Sequence, residues 1–159
     1  MYQVTLITAL IWMLALLAPP WLMAGGRIVW ALVGYELFSI ICHQLPERSW
    51  RIFGFPLAVC SRCTAIYFGG LLGLLIYPLT AGIGAKSVEY AARSRRWLLW
   101  SLPPMLFDFG LDWLGVMKNS FLTRTLTGLL VGMAGALHLY HLLAVALTEW
   151  RGADSRRNV

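Results

Sequence analysis

Charge is scarce in this chain, and acidic charge most of all. Seven Asp and Glu face thirteen Lys and Arg among 159 residues, and charged residues make up only 13% of the whole. So little charge beside 59% hydrophobic residues and a mean hydropathy of +0.69 excludes a small soluble domain, because such a domain leaves a large share of its surface in water. The net charge of +6 is no nucleic-acid footprint either. The basic residues stand in short blocks between apolar runs, as topology signals do. No basic segment precedes the first apolar run, MYQVTLITALIWMLALLAPPWLMAGG. That run exceeds a signal-peptide core, so it is expected to remain as a membrane segment. Glycine-rich phosphate loops, a nucleophile elbow and a CxxCH haem-attachment motif are all missing, Thr64 standing after Cys63. Repeats, low-complexity tracts and linkers are missing too, which leaves one domain over 1–159.

What is abundant is membrane material. Eight Trp, seven Phe and six Tyr supply the aromatic residues typical of membrane interfaces. Four segments, roughly 4–24, 56–80, 97–117 and 122–148, approach or exceed the ~20 residues that cross a hydrocarbon core. A fifth, 28–45, is shorter and carries Glu36; it is expected to span or insert deeply. The fold class is therefore an all-α, polytopic helix bundle of four to five spans. Basic residues orient it: Lys86, Arg93, Arg95 and Arg96 in one connection, and Arg151, Arg156 and Arg157 in the 149–159 tail, belong in the cytoplasm. The 46–55 and 117–121 connections then face outward, although Arg48, Arg51 and Lys118 weaken the contrast. Gly69 and Gly73, and Gly128 and Gly132 with Gly135 beyond, have the small-xxx-small spacing of helices packed backbone to backbone. Pro19–Pro20 and Pro103–Pro104 are expected to kink or break their helices.

All three cysteines fall in one stretch, CHQLPERSWRIFGFPLAVCSRC, from 42 to 63. Pro56 suits the first turn of a helix, which would place Cys60 and Cys63 one turn apart at its amino end, where the helix dipole and Arg62 favour thiolate. Cys42 and His43 arrive from the preceding segment at the same membrane level. Together these four make a Cys3His set for tetrahedral zinc. Adjacent Cys and His do not chelate easily, so Asp108 or Asp112 is the alternative fourth ligand. The same atoms fit a membrane thiol–disulfide oxidoreductase using Cys60 and Cys63, with Cys42 as an exchanging thiol, or a plain structural disulfide. The odd cysteine count leaves one thiol over in either case.

Asp108 and Asp112 lie four apart on one helix face, with Asp108 expected near mid-membrane. Carboxylates there are costly and mark function or a buried ion pair, for which Arg124 is the expected partner. His138 and His141 sit too far along the last helix to join the thiols, and are expected to hydrogen-bond across helices.

The blocks CHQLPERSW, PLAVCSRCTAIYFG, PMLFDFGLD and NSFLTRTLTGLLVG resemble the signature of a prokaryotic family of predicted membrane proteins, domain of unknown function 2085. The resemblance covers residues 42 to about 132. It implies a multi-spanning protein of the cytoplasmic membrane whose shared polar positions match Cys42, His43, Gln44, Arg48, Ser49, Cys60, Arg62, Cys63, Asp108, Asn119, Ser120 and Arg124. It implies no particular activity. Ala65 stands where the family pattern has glycine, and Asp112 where many relatives have glutamine, which makes the carboxylate pair less essential than Asp108 alone.

These readings converge on a lipid-embedded protein with an outward-facing metal site, zinc favoured, at Cys42, His43, Cys60 and Cys63. Asp108, Arg124, Arg48 and Gln44 are expected to line a polar pocket beside it, Asp108 serving as base if the metal is catalytic. The alternatives are the oxidoreductase and a non-catalytic subunit of a membrane complex or homo-oligomer.

Overall fold

The computed structural model describes residues 1–81 and 87–157. Lys86 and residues 158–159, which entered the orientation argument, lie outside the described residues. Among those described there are five α-helices: α1 (Tyr2–Ala24), α2 (Ile28–Ser39), α3 (Ser61–Ala81), α4 (Ser87–Trp113) and α5 (Phe121–Arg157). Between α2 and α3 lie a 3-10 turn, Pro46–Arg48, and a small antiparallel hairpin of β1 (Arg51–Ile52) and β2 (Phe55–Pro56). Three helices are long and apolar enough to cross a membrane: α1, α3 and the Phe121–Trp150 part of α5. The chain is an all-α polytopic membrane bundle, as its composition required.

The span boundaries differ from expectation in informative ways. The 28–45 segment is helical only over the 12 residues of α2. At about 1.5 Å per residue that is about 18 Å, too short for a hydrocarbon core of about 30 Å. Helix α4 begins ten residues before 97, and its first part carries Glu89, Arg93, Arg95 and Arg96. It ends at Trp113 rather than 117, because Gly115 takes φ 69°. The Gly115 N–H then reaches the Asp112 carbonyl and the Val116 N–H the Leu111 carbonyl, the paired bonds of a Schellman stop. The same device, with Gly26 at φ 72°, ends α1 and turns the chain into α2.

Pro56 does not start a helix. It pairs with Arg51 across the hairpin, whose two turn residues, Phe53 and Gly54, have φ 54° and 83°. Positive φ at both central residues gives the turn whose twist matches a two-residue hairpin. Neither double proline breaks its helix. Pro19 and Pro20 are fully buried within α1, and Gly34 of α2 sits so close that a β-carbon there would lie 2.8 Å from the Pro19 ring. The prolines thus serve as the surface against which α2 packs.

Helices α3 and α5 form the central seam, and the glycine spacing explains it. A β-carbon on Gly73 would stand 2.7 Å from the Met133 carbonyl, and one on Gly128 2.6 Å from the Arg62 carbonyl. Gly69 and Gly132 lie still closer to the carbonyls of Leu129 and Ile66. All four glycines therefore act in packing within the chain, where dispersion contacts do the work that hydrophobicity cannot do in lipid. The seam fixes α3 against α5 in register and brings the amino ends of both, with the carboxyl end of α4, to one end of the bundle.

Candidate metal centre and the ion pairs beside it

The site is built by the irregular stretch between α2 and α3. The Cys42 N–H donates to the Phe38 carbonyl in the last turn of α2 (3.1 Å), which points the chain back toward the bundle. Gln44 follows in the left-handed region, φ 50°, and its side-chain amide donates to the Tyr35 carbonyl. The Tyr35 hydroxyl donates to the Pro56 carbonyl (2.6 Å), tying α2 to the hairpin. Leu57, Ala58 and Val59 are then drawn into an apolar cluster with Leu16, Phe38 and Cys42. They deliver Cys60 to the head of α3, where its carbonyl accepts the Thr64 N–H (2.9 Å).

This path brings the sulfurs of Cys42, Cys60 and Cys63 within 4.8 Å of one another. All three are free thiols, Cys42 buried and the other two half-buried. The Cys60 backbone N–H donates to Cys42 Sγ at 3.2 Å. Hydrogen bonds from the Cys60 thiol, then from the Cys63 thiol, hold the Cys42 sulfur well below the ordinary thiol range, outweighing the opposing effect of burial. Three sulfurs at such separations suit a thiophilic cation. Around zinc with Zn–S bonds of about 2.3 Å, tetrahedral sulfurs stand about 3.8 Å apart, so modest closure would complete the set.

His43 is not gathered into this group. It is exposed, whereas Cys42 beside it is buried. Neither Asp108 nor Asp112 joins it among the described residues, because arginines claim both. Asp108 pairs with Arg62, and Asp112 with Arg48 (3.1 Å) and Arg124 (3.3 Å). The Arg124 partnership was expected from sequence. Arg62, expected to act on the thiols, instead crosses to α4 and lies over the Phe109 ring at 5.6 Å. The Arg124 side chain is 8% exposed and those of both aspartates are 10–13% exposed. Asn119 donates from Nδ2 to the Asp108 carbonyl (2.6 Å), closing the α4–α5 connection over the group. Asp112 lies in the last turn of α4, so the carboxylates sit nearer the bundle end than expected. Three guanidiniums thus face two carboxylates, leaving one positive charge in surplus. Gln44, expected among them, is engaged with α2 instead.

Sequence reasoning missed the Arg62–Asp108 pair and the proximity of Tyr67 to the thiols, although Tyr67 is one turn below Cys63 and packs against their apolar cluster. The i, i+4 relation from Cys63 to Tyr67 was the available signal. At the other end of the bundle the histidines part company, as expected. His138 Nδ1 meets Ser94 Oγ at 3.0 Å and His141 Nδ1 meets the Tyr77 hydroxyl at 3.2 Å.

Similarity to known proteins bears on the family and the membrane class. No solved structure matches the chain. An uncharacterized protein of Methanocaldococcus jannaschii is 32% identical over 143 residues, covering 87% of this chain and 89% of that one. An uncharacterized protein of Methanothermobacter thermautotrophicus is 34% identical over 100 residues, covering 63% of this chain and 85% of that one. The family described as predicted membrane protein, domain of unknown function 2085, matches residues 42–138, which run from the first thiol through the ion pairs into α5. The chain belongs to that family.

Proposed function

We propose that the protein is a multi-pass membrane protein built around a trithiolate metal centre, zinc, held by Cys42, Cys60 and Cys63 with the fourth position left to water or an external ligand. The observation that carries this reading is the convergence of three free sulfurs, from two separate chain segments, to within 4.8 Å. Soft thiolate sets favour zinc and copper(I) over harder cations, and a backbone N–H directed at Cys42 Sγ is the kind of outer hydrogen bond that steadies a metal-bound thiolate. An open fourth position is the arrangement of catalytic rather than structural zinc. Were it to hold water, Asp108 is the base we assign, and its pair with Arg62 would have to open first. We place the centre at the extracytoplasmic face, because Arg93, Arg95 and Arg96 mark the opposite end of α4 as cytoplasmic.

The test is elemental mass spectrometry on protein purified in detergent without chelator, combined with a thiol count under denaturing conditions. About one zinc per chain and three free thiols is expected, with zinc lost in Cys42→Ser. A single free thiol without metal would overturn the reading in favour of a disulfide and thiol exchange.

A further inference from the structure

Beside the thiols runs a groove that none of the chemistry above uses. Its floor is the α3–α5 seam at Ile66, Gly70, Gly132 and Gly135, and its sides include Trp12 of α1 and Leu98 of α4. Its volume of about 780 Å³ falls in the range of sites that enclose small ligands, roughly 300–1,000 Å³. Glycine makes the floor low. A β-carbon on Gly70 would find its nearest neighbour, the Gly132 carbonyl, at 3.9 Å, and one on Gly135 would meet Leu98 at 3.9 Å. Two threonines line the groove, but Thr5 and Thr8 donate to the carbonyls of Met1 and Val4 in their own helix. The surface that remains suits hydrocarbon.

Two features make it more than a gap between helices. The first is register. The rows Ile66–Gly70–Leu74 and Tyr67–Leu71 on α3 line the groove, and one turn above them, at the same helical spacing, stand Arg62 and Cys63. The groove therefore leads upward to the ion pairs and the thiols. Over the eight steps from Ile66 to Leu74 it runs about 12 Å along the helix, and near its far end the Tyr2 hydroxyl donates to the Leu74 carbonyl (2.9 Å). The second is polarity. Tyr67, with Trp12 edge-on to its ring at 5.7 Å, makes no hydrogen bond through its hydroxyl among the described residues. Above it Arg62, paired with Asp108, keeps an Nε without a hydrogen-bond partner, and one turn beyond Asp108 on α4 Asp112 is shared by Arg48 and Arg124, which is the one surplus positive charge.

We propose that this groove is a binding site for an anionic membrane lipid. One hydrocarbon chain lies along the glycine floor, a linkage oxygen accepts the Tyr67 hydroxyl proton, and the headgroup phosphate balances the surplus charge of the arginines. Chain, linkage and phosphate follow one another in the order in which the apolar floor, the phenol and the guanidinium occur along α3. Guanidinium–phosphate pairing is among the stronger polar contacts available at such a level. The site stands independently of any metal at the thiols.

Native mass spectrometry of the full chain in detergent tests it, titrating phosphatidylglycerol against phosphatidylcholine with identical chains. One phosphatidylglycerol should bind per chain at least about tenfold more tightly than phosphatidylcholine, the factor expected from one charge-assisted hydrogen bond. Gly70→Leu fills the groove from its floor and Thr8→Trp from the exposed α1 side. Each should weaken phosphatidylglycerol binding while leaving the thiol count unchanged. Arg48→Gln, which removes the surplus charge and leaves Asp112 paired with the buried Arg124, should retain lipid but lose the preference for phosphatidylglycerol. Equal binding of the two lipids by the unaltered protein would overturn the proposal, and so would undiminished phosphatidylglycerol binding in both filled-groove variants. Neither result would touch the zinc measurement.

Discussion

The two ends of this bundle handle polar groups in opposite ways. At the thiol end, three cysteines converge and three arginines pair with two aspartates, so formal charge is met by formal charge with one guanidinium in surplus. At the other end, Tyr77, Tyr90, Ser94, Thr80, His138 and His141 are joined by neutral hydrogen bonds and ring contacts: Thr80 to Tyr90 at 2.9 Å, Ser94 to His138 at 3.0 Å, Tyr77 edge-on to Tyr140 at 4.6 Å. Of the charged residues at that end, Glu89, Arg93, Arg95 and Arg96 among them, Arg93 packs into this group, lying over the Tyr90 and Trp97 rings. The difference teaches what each end costs to bury. Hydroxyls and imidazoles stitch helices together at modest cost, whereas buried ion pairs in a membrane protein are expensive enough to mark function. The thiol end also carries the irregular backbone, with left-handed Gln44 and Phe53, while the other end joins α3, α4 and α5 through side chains of regular helix.

The sharpest way to break this comparison is to remove one charge. Arg124 is buried and shares Asp112 with the half-exposed Arg48. Arg124→Ala should leave Asp112 with its weaker, wetter partner and cost about 3 kcal/mol, the lower end for splitting a buried pair. Denaturant-titrated unfolding in mixed micelles would measure it. A loss below about 1 kcal/mol, the level of a surface pair, would show that the thiol end is more hydrated than its burial indicates.

Much of this was legible before the fold was known. The four seam glycines announced backbone packing by spacing alone, and the Cys60–Cys63 step placed two thiols on one turn. Arg124 was identified as an aspartate partner from its place at the outer end of the last helix. What stayed hidden depended on tertiary placement or on local turns with weak signals. The hairpin at 51–56 has strands of two residues each, too short for any alternation to show, so Pro56 read as a helix start. Arg62 lies between two cysteines in sequence and was assigned to them; only the approach of α4 reveals that Asp108 takes its guanidinium. His43 illustrates the converse, since sequence adjacency to Cys42 put it in the ligand set, whereas the three sulfurs gather without it. The Gly115 stop of α4 had a signal, Leu-Gly after an apolar run, that was outweighed by continuing hydrophobicity through Met117.

A smaller effect is expected at the neutral end. Ser94 is fully buried and its hydroxyl meets His138 Nδ1. Ser94→Ala removes this contact and the hydroxyl's bond to the Ala91 carbonyl (3.1 Å) without burying a charge, so the loss should be about 1–2 kcal/mol. The same micelle unfolding experiment reads it. A loss as large as that of Arg124→Ala would erase the contrast between the ends.

The smallest change should come from the most drastic-looking variant, Arg62→Gln combined with Asp108→Asn. Removing either partner alone strands the other in a place where it is 14% or 10% exposed. Removing both charges together eliminates the desolvation cost along with the attraction, and the two largely cancel for buried pairs. The amides that remain can still hydrogen-bond across α3 and α4, and Asn119 still has the residue-108 carbonyl to hold. Stability should therefore move by less than about 1 kcal/mol, with each single variant markedly worse than the double. If the double variant is as unstable as the singles, the Arg62–Asp108 pair is part of the framework itself. If it folds normally, the charges at this end are retained for what they bind, and the thiol end differs from its opposite in purpose as well as in composition.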